Sequence, residues 1–376
     1  MTIVFVSYIN TPEFDQPEQW IDRIGGYTGI LEALSERYTV ISIEQIRYQG
    51  IFRQNGVQYH FLDFGKKELT FPRQLHRYVK NCNPDIVVVH GILFPLQVLQ
   101  LRVQLGRSAR IIVQNHAEKP ATGAKKWLQK MADRCIDAYL FTAREMGEEW
   151  VRQGIIRKRT KIREVMEASS SFRPADKIQA RNVTGVTGHP VFLWVGRLDY
   201  NKDPLTVVRA FLKFTRSFPN ARLYMLYHER ELLSELEELL RSDGADRGSV
   251  VLVGRKPHEE MIHWYNASDY ILSGSHYEGS GVAVCEAMSC GCIPVVTDIL
   301  SFRKMTADGD CGALYEPGNE IALQIALFKT LFKNQENERR KTLRQFQSEL
   351  SFEAIARHIH RIVESLSDDK AVSIVE

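Results

Sequence analysis

Short apolar runs rich in Val, Ile, Phe and Tyr alternate with stretches of helical spacing along the whole chain, the pattern of parallel sheets with crossover helices. In the first half the runs fall at 3–6, 38–42, 85–89, 110–113 and 138–141. Their near-continuous apolarity predicts strands buried on both faces. The alternation lapses across Ala168-Ser-Ser-Ser-Phe-Arg-Pro174 and Asn182-Val-Thr-Gly-Val-Thr-Gly-His-Pro190, which predicts a linker or hinge over 173–190. It resumes at 191–195, 222–226, 250–253, 270–272 and 293–296. The expected fold class is therefore α/β, with two tandem Rossmann-like doubly wound domains, over 1–172 and 191–350, facing a cleft. Asp203 before Pro204 predicts the N-cap and first turn of a helix carrying Leu205, Val208, Phe211 and Leu212. Phe352, Ile355, Ile359, Ile362, Val363 and Leu366 recur at helical spacing, so 351–376 is expected to form an amphipathic helix that must dock on something.

With 376 residues, 44% hydrophobic and 25% charged, the chain has apolar material for two cores, and disordered, collagen-like and low-complexity classes are excluded. A net charge of +3 gives no global case for a nucleic-acid binder. The charge is unevenly divided, with 24 Lys and Arg against 18 Asp and Glu through Phe172 and 25 against 28 beyond it. Six cysteines, Cys82, Cys135, Cys285, Cys290, Cys292 and Cys311, are too sparse for a disulfide scaffold and read as reduced thiols of a cytoplasmic protein. Residues 1–8 have no basic leader and read as a first strand rather than a signal peptide. The most apolar stretch, 86–101, is broken by His90, Gly91, Pro95, Gln97 and Gln100, short of the ~18–20 apolar residues a membrane span needs.

Ligands of open α/β sheets bind at strand carboxyl ends, so the loops after strands hold the candidates. Gly196-Arg-Leu-Asp-Tyr-Asn-Lys-Asp203 brings a glycine turn, two cations (Arg197 and Lys202) and a helix N-terminus together, as a diphosphate requires; the alternative is a plain loop with two solvated cations. In the segment from Ser275 to Pro294, Glu278 follows a strand, and Gly279, Ser280 and Gly281 form a loop whose backbone can approach a ligand at the next helix start. Glu286 is the only charge from 282 to 288, so it must face a cleft or meet donors; ribose hydroxyls are suitable, and a core cation or helix cap is the alternative. Gly25 and Gly26, with Gly29, open a helix either for backbone approach to a ligand or as a plain turn. His116, in Gln114-Asn-His-Ala-Glu118, falls at a strand end. The spacing of Cys285, Cys290 and Cys292 fits neither a zinc ribbon nor a ferredoxin run, so no metal site is expected.

Glu278-Gly279, the seven residues between Glu278 and Glu286, Glu286-Ala-Met288 and Gly291-Cys-Ile-Pro-Val-Val296 together resemble the signature of the family 4 glycosyltransferases (glycosyl transferases group 1), retaining enzymes of the GT-B fold. Gly196-Arg-Leu198 followed by Lys202, and the segment Asp308-Gly-Asp-Cys-Gly-Ala-Leu-Tyr-Glu-Pro-Gly318, are similar to further family motifs. The resemblance is dense over 191–318 and thinner, though collinear, before it. It implies that the second domain binds a nucleotide-diphosphate sugar and that no metal or cofactor is needed. Arg197 and Lys202 would hold the diphosphate and stabilise the leaving group, Glu286 would accept from the ribose, and Glu278 would contact hydroxyls of the transferred sugar. Gly196, Gly279, Ser280 and Gly281 would border the donor, Gly26 would approach its phosphates, and His116 would touch the sugar near the reacting centre. The last helix would cross back onto the first domain. The chain departs from the family at Met166-Glu-Ala-Ser-Ser170, where a Pro-Asn-Gly-Val-Asp-like turn is common, and at Gly274-Ser275, where Pro-Ser is common.

By the same resemblance the first domain takes the acceptor, a glycan, lipid-linked or small molecule. Lys125 and Lys126 beside Trp127, and the run Arg152, Arg157, Lys158, Arg159, Lys161 and Arg163, suit an anionic surface, so peripheral contact with the inner face of a membrane is expected; a solvated face is the alternative. The expected function is transfer of a hexosyl-type sugar in polysaccharide or glycolipid biosynthesis. A nucleotide-sugar epimerase of the same fold is the alternative, and an inactive binding protein is disfavoured by the presence together of Arg197, Lys202, Glu278 and Glu286.

Overall fold

The apolar runs become the strands of two sheets, one in each of two units: residues Met1–Ala168 with Phe352–Glu376, and residues Ser169–Ser351. The structure, a computed structural model, describes residues 1–65, 70–242 and 248–375, with side chains of the last helix described through Ser367.

In the first unit the strands are β1 (Thr2–Ser7), β2 (Thr39–Gln45), β3 (Gly50–Gln54), β4 (Val57–Leu62), β5 (Ile86–His90), β6 (Arg110–Gln114), β7 (Ala138–Phe141) and β8 (Ile162–Glu164). They lie in the order β3-β4-β2-β1-β5-β6-β7-β8. All neighbours are parallel except β3 and β4, an antiparallel hairpin. The hairpin was not among the expected strands. Its signal is Asn55-Gly56 with φ of 47° and 83°, both positive as a two-residue hairpin turn requires. Val4, Val6, Val87, Val89, Ile111, Val113, Tyr139 and Phe141 build the core with Leu75, Leu101 and Trp150 from the helices. Strand order reverses between β1 and β5, so the loops after these two strands part and leave room at the sheet edge.

The helix Phe352–Val375 belongs to this unit and packs on the helix Gly25–Ser35, burying Ile355, Ile359, Ile362, Val363 and Leu366 as their spacing predicts. Gly29 is the contact point, since a Cβ there would lie 2.4 Å from the Phe352 ring. Close packing with this helix therefore explains Gly29, and ligand approach is not needed to account for it. No described helix is long and apolar enough to cross a membrane.

The second unit holds β9 (Val191–Gly196), β10 (Arg222–Tyr227), β11 (Val250–Gly254), β12 (Tyr270–Ser273), β13 (Ile293–Thr297) and β14 (Ala313–Tyr315). Their order is β11-β10-β9-β12-β13-β14, all parallel, so the switch point falls between β9 and β12. Phe192, Trp194, Phe211, Phe214, Leu223, Met225, Tyr270 and Leu272 fill its core, each worth roughly 1.5–3 kcal/mol relative to exposure. Asp203 caps the helix Pro204–Thr215 as expected, its carboxylate accepting from Thr206 N at 3.2 Å.

The segment 173–190, expected as a linker, instead carries the helix Lys177–Thr184, capped by Asp176 and ended by Gly185 in the left-handed conformation, within the second unit. Lys177 and Arg181 pair with buried Asp269. The Asp269 carboxylate also accepts from Val191 N and Gln335 Nε2, each at 2.8 Å. Arg181 Nε reaches Ala267 O at 3.1 Å, and Ala175 N reaches Asn266 Oδ1 at 2.6 Å. Partners nearly a hundred residues downstream hold in place what composition alone reads as loop.

Candidate functional site

At the switch point of the second sheet, the loops after β9 and β12 meet. Gly274 allows the approach, since a Cβ there would sit 3.0 Å from the carbonyl oxygens of both Lys202 and Asp203. His276 N donates to Asn201 O at 2.8 Å and Asn201 Nδ2 to Tyr277 O at 3.0 Å, lashing one loop to the other. The result places Lys202 Nζ on Glu278 Oε1, a largely enclosed ion pair that joins the two loops, with side chains 21% and 14% exposed. Arg197 follows β9 and is turned by Asp199, Nε to Oδ2 at 2.9 Å, leaving its side chain about half exposed. Ser280 is buried, and Gly281, at φ 58°, opens the helix Val282–Ser289. Gly279 joins Glu278 to Ser280 in the same loop.

Glu286, on that helix, is buried and meets donors from the protein itself. His258 Nε2 lies 2.7 Å from Oε1, and Tyr265 donates its hydroxyl to Oε2 at 2.7 Å. The Glu286 hydrogen bond raises His258 above the ordinary imidazole range, against the opposing effect of its burial and with help from the Glu286 and Glu259 charges. Phe172 covers that ring at 5.0 Å between centroids. Neither partner was anticipated. His258 follows β11, where the strand-end rule would have found it, whereas Tyr265 lies in the interior of the helix Met261–Ala267 and has no local signal. A carboxylate has about four lone-pair sites, so these two bonds leave others on Glu286.

In the first unit His116 sits after β6 in a tight loop. Glu118 Oε2 accepts from His116 N and Asn115 Nδ2, and Ala117 takes a φ of 68°. Nδ1 of His116 pairs with Glu167, which follows β8. Nε2 lies 3.2 Å from His90 Nδ1, with the two rings stacked at 5.3 Å. His90 Nε2 in turn lies 2.9 Å from the Tyr27 hydroxyl, in the first turn of the helix that Gly25 and Gly26 open. Burial pushes His116 down, but the Glu167 hydrogen bond and the charges of Glu167 and Glu118 outweigh it and hold the imidazole above its ordinary range. His90 is pushed down to about 3 by burial and by the neighbouring His116.

Cys285, Cys290 and Cys292 are buried, Cys292 Sγ donates to Tyr265 O at 3.0 Å, and burial pushes the Cys290 thiol up to about 12. Among the described residues no group of three His, Cys, Asp or Glu is placed to hold a metal. In the basic run, Arg157 and Lys161 neutralise buried Asp133, Arg159 pairs with Glu148 and Arg152 with Glu149. Four of that run's six cations are therefore paired locally, against three carboxylates. Trp127, by contrast, is 61% exposed on the helix Gly123–Ala132 that carries Lys125, Lys126 and Lys130.

Residues 176–347 match the family described as glycosyl transferases group 1. The D-inositol 3-phosphate glycosyltransferase of Acidothermus cellulolyticus is 29% identical over 153 residues, 39% of this chain and 34% of that relative, so the chain spans about a third of its length. Sucrose-phosphate synthase from Thermosynechococcus elongatus superposes with a TM-score of 0.72 at 18% identity, covering 98% of this chain and 99% of that one. Anabaena Alr3699/HepE in complex with UDP superposes equally well, with a TM-score of 0.72 at 12% identity over 97% of this chain and 100% of that one. Residues 176–347 thus match the glycosyl transferases group 1 model, and the chain has the two-sheet α/β (GT-B) fold of these solved structures.

Proposed function

We propose that this chain is a retaining glycosyltransferase that moves a hexosyl-type sugar from a nucleotide-diphosphate sugar to a glycan, lipid-linked or small-molecule acceptor, in polysaccharide or glycolipid biosynthesis. The observation that carries the reading is the Lys202–Glu278 pair at the switch point of the second sheet, beside the start of the helix bearing Glu286. Glycosyl transfer builds negative charge on the departing diphosphate, and a fixed cation acts where that charge develops. Lys202 and Arg197 supply it, Glu278 orients Lys202 and takes sugar hydroxyls, and the remaining lone pairs of Glu286 take the ribose. Gly26 and His116, in the first unit, keep the roles that resemblance assigns them, toward donor phosphate and sugar. The reaction so written needs no metal.

Thermal unfolding in the presence of uridine, guanosine and adenosine diphosphate sugars tests the donor. A donor at a hundredfold its Kd should stabilise the chain by about 2.7 kcal/mol. Free nucleotide diphosphate should then appear in an acceptor-dependent way; an isomerised nucleotide-sugar without acceptor would instead identify an epimerase.

The exposed Trp127 among Lys125, Lys126 and Lys130 supports peripheral contact with an anionic membrane face from the cytoplasmic side. Co-sedimentation with anionic liposomes at low salt is expected, falling when Trp127 and the three lysines are replaced by alanine. Equal recovery in the supernatant with and without liposomes overturns it.

A further inference from the structure

Glu167 and His116, in the loops after β8 and β6, meet His90 at the end of β5 and Tyr27 in the first turn of the helix Gly25–Ser35, along the carboxyl edge of the first sheet. Tyr27 and His90 flank the switch point between β1 and β5. A chain of this kind has two internally consistent directions. If His116 is neutral with its proton on Nδ1, facing Glu167, its Nε2 accepts from His90 Nδ1–H. His90 Nε2 then accepts from the Tyr27 hydroxyl, which turns a lone pair outward. If His116 carries both protons, the His116–His90 and His90–Tyr27 bonds reverse while Nδ1–H still donates to Glu167. His116 Nε2–H donates to His90 Nδ1, His90 Nε2–H donates to the Tyr27 oxygen, and the tyrosine turns its hydrogen outward.

We propose that Glu167 is a positioning residue that keeps His116 doubly protonated and so sets this chain in the second direction, with the Tyr27 hydroxyl accepting from His90 and its own hydrogen left free to donate. Among the described residues the Glu167 carboxylate is the acceptor that faces His116 Nδ1, and it is largely enclosed, with a side chain 12% exposed. His90 must be neutral for this direction, and its burial against Phe5, Tyr27 and the His116 ring disfavours a second cation there. The charged groups facing His116 are Glu167 and Glu118, both acidic, and the remaining titratable neighbour is His90. The direction of the chain does not depend on the function proposed above.

Long-range proton–nitrogen NMR of the 15N-labelled full chain tests it, with His116→Gln and His90→Gln used for assignment. Wild type is expected to show His116 protonated at both ring nitrogens at neutral pH and His90 as the Nε2–H tautomer. In Glu167→Gln the His116 pKa should fall by about one to three units, as for loss of an adjacent opposite charge, and the His90 tautomer should change. Glu167→Asp, which keeps the charge, should retain the wild-type pattern and so separates lost charge from a damaged fold. Unaltered His116 titration in Glu167→Gln, or an Nδ1–H tautomer of His90 in wild type, overturns the proposal. These signals are read without turnover. If they appear but the chain transfers no sugar, the function proposal fails while the positioning role of Glu167 stands.

Discussion

Lys202→Ala is expected to lower kcat for sugar transfer by about 10²- to 10³-fold, the usual cost of removing one charge-stabilising group from a reacting site. Lys202 Nζ sits on Glu278 in a largely enclosed pair that ties the loop after β9 to the loop after β12. The substitution therefore removes the cation and leaves a carboxylate with no counter-charge in its place. That second consequence would also weaken binding of an anionic diphosphate, so the loss should appear in KM as well as kcat. Lys202→Ala combined with Glu278→Gln separates the two. If Lys202 acts on the leaving group, neutralising Glu278 restores part of the KM and none of the kcat. Steady-state measurement with the donor identified by thermal shift decides the matter, and an unchanged kcat in Lys202→Ala would remove Lys202 from the chemistry.

Asp269→Ala is expected to destabilise the second unit by roughly 3–5 kcal/mol, the range for breaking a buried pair by removing one partner. The carboxylate is 2% exposed and receives Lys177, Arg181, Gln335 and the Val191 backbone N–H, so it joins the helix Lys177–Thr184 to the first strand of its sheet. Burial alone would raise its pKa, but Lys177, the Val191 N–H and Arg181 together hold it below the ordinary carboxyl range. The folded unit thus binds this proton less readily than the unfolded chain. Its contribution is complete above the unfolded value of about 4 and is lost as the pH falls from there through the folded value. Urea unfolding of wild type should show a midpoint that drops below about pH 4, and Asp269→Ala should start lower and lose this part of the drop. Equal midpoints at neutral pH would mean that the helix Lys177–Thr184 is held by something other than this carboxylate.

The loops that carry Lys202, Glu278 and His116 were legible because each follows an apolar run, and a strand's carboxyl end is where open sheets place ligands. The capped start at Asp203 was equally local, since a short acceptor before proline predicts its own hydrogen bond. Glu286 was legible as a problem, a lone charge among apolar neighbours, but its solution was not. His258 and Tyr265 reach it from 28 and 21 residues away, across a helix and a strand whose packing no periodicity reports. The same applies to Glu167, 51 residues from His116 and two strands over.

Residue pattern by itself determined the alternation of strands and helices, the two-sheet class, the last helix and the loops worth inspecting, because each rests on free energies contained within about a dozen neighbouring residues. Tertiary structure alone decided the strand order, hence the two switch points, and with it which groups become partners. It turned 173–190 from an apparent linker into a helix anchored on Asp269, assigned Gly29 to the Phe352 ring, and paired four cations of the basic run with carboxylates. The physical reason is common to all of these. Burial and ion pairing are satisfied by groups distant in sequence, and register and sheet order, which no local segment encodes, determine which groups those are.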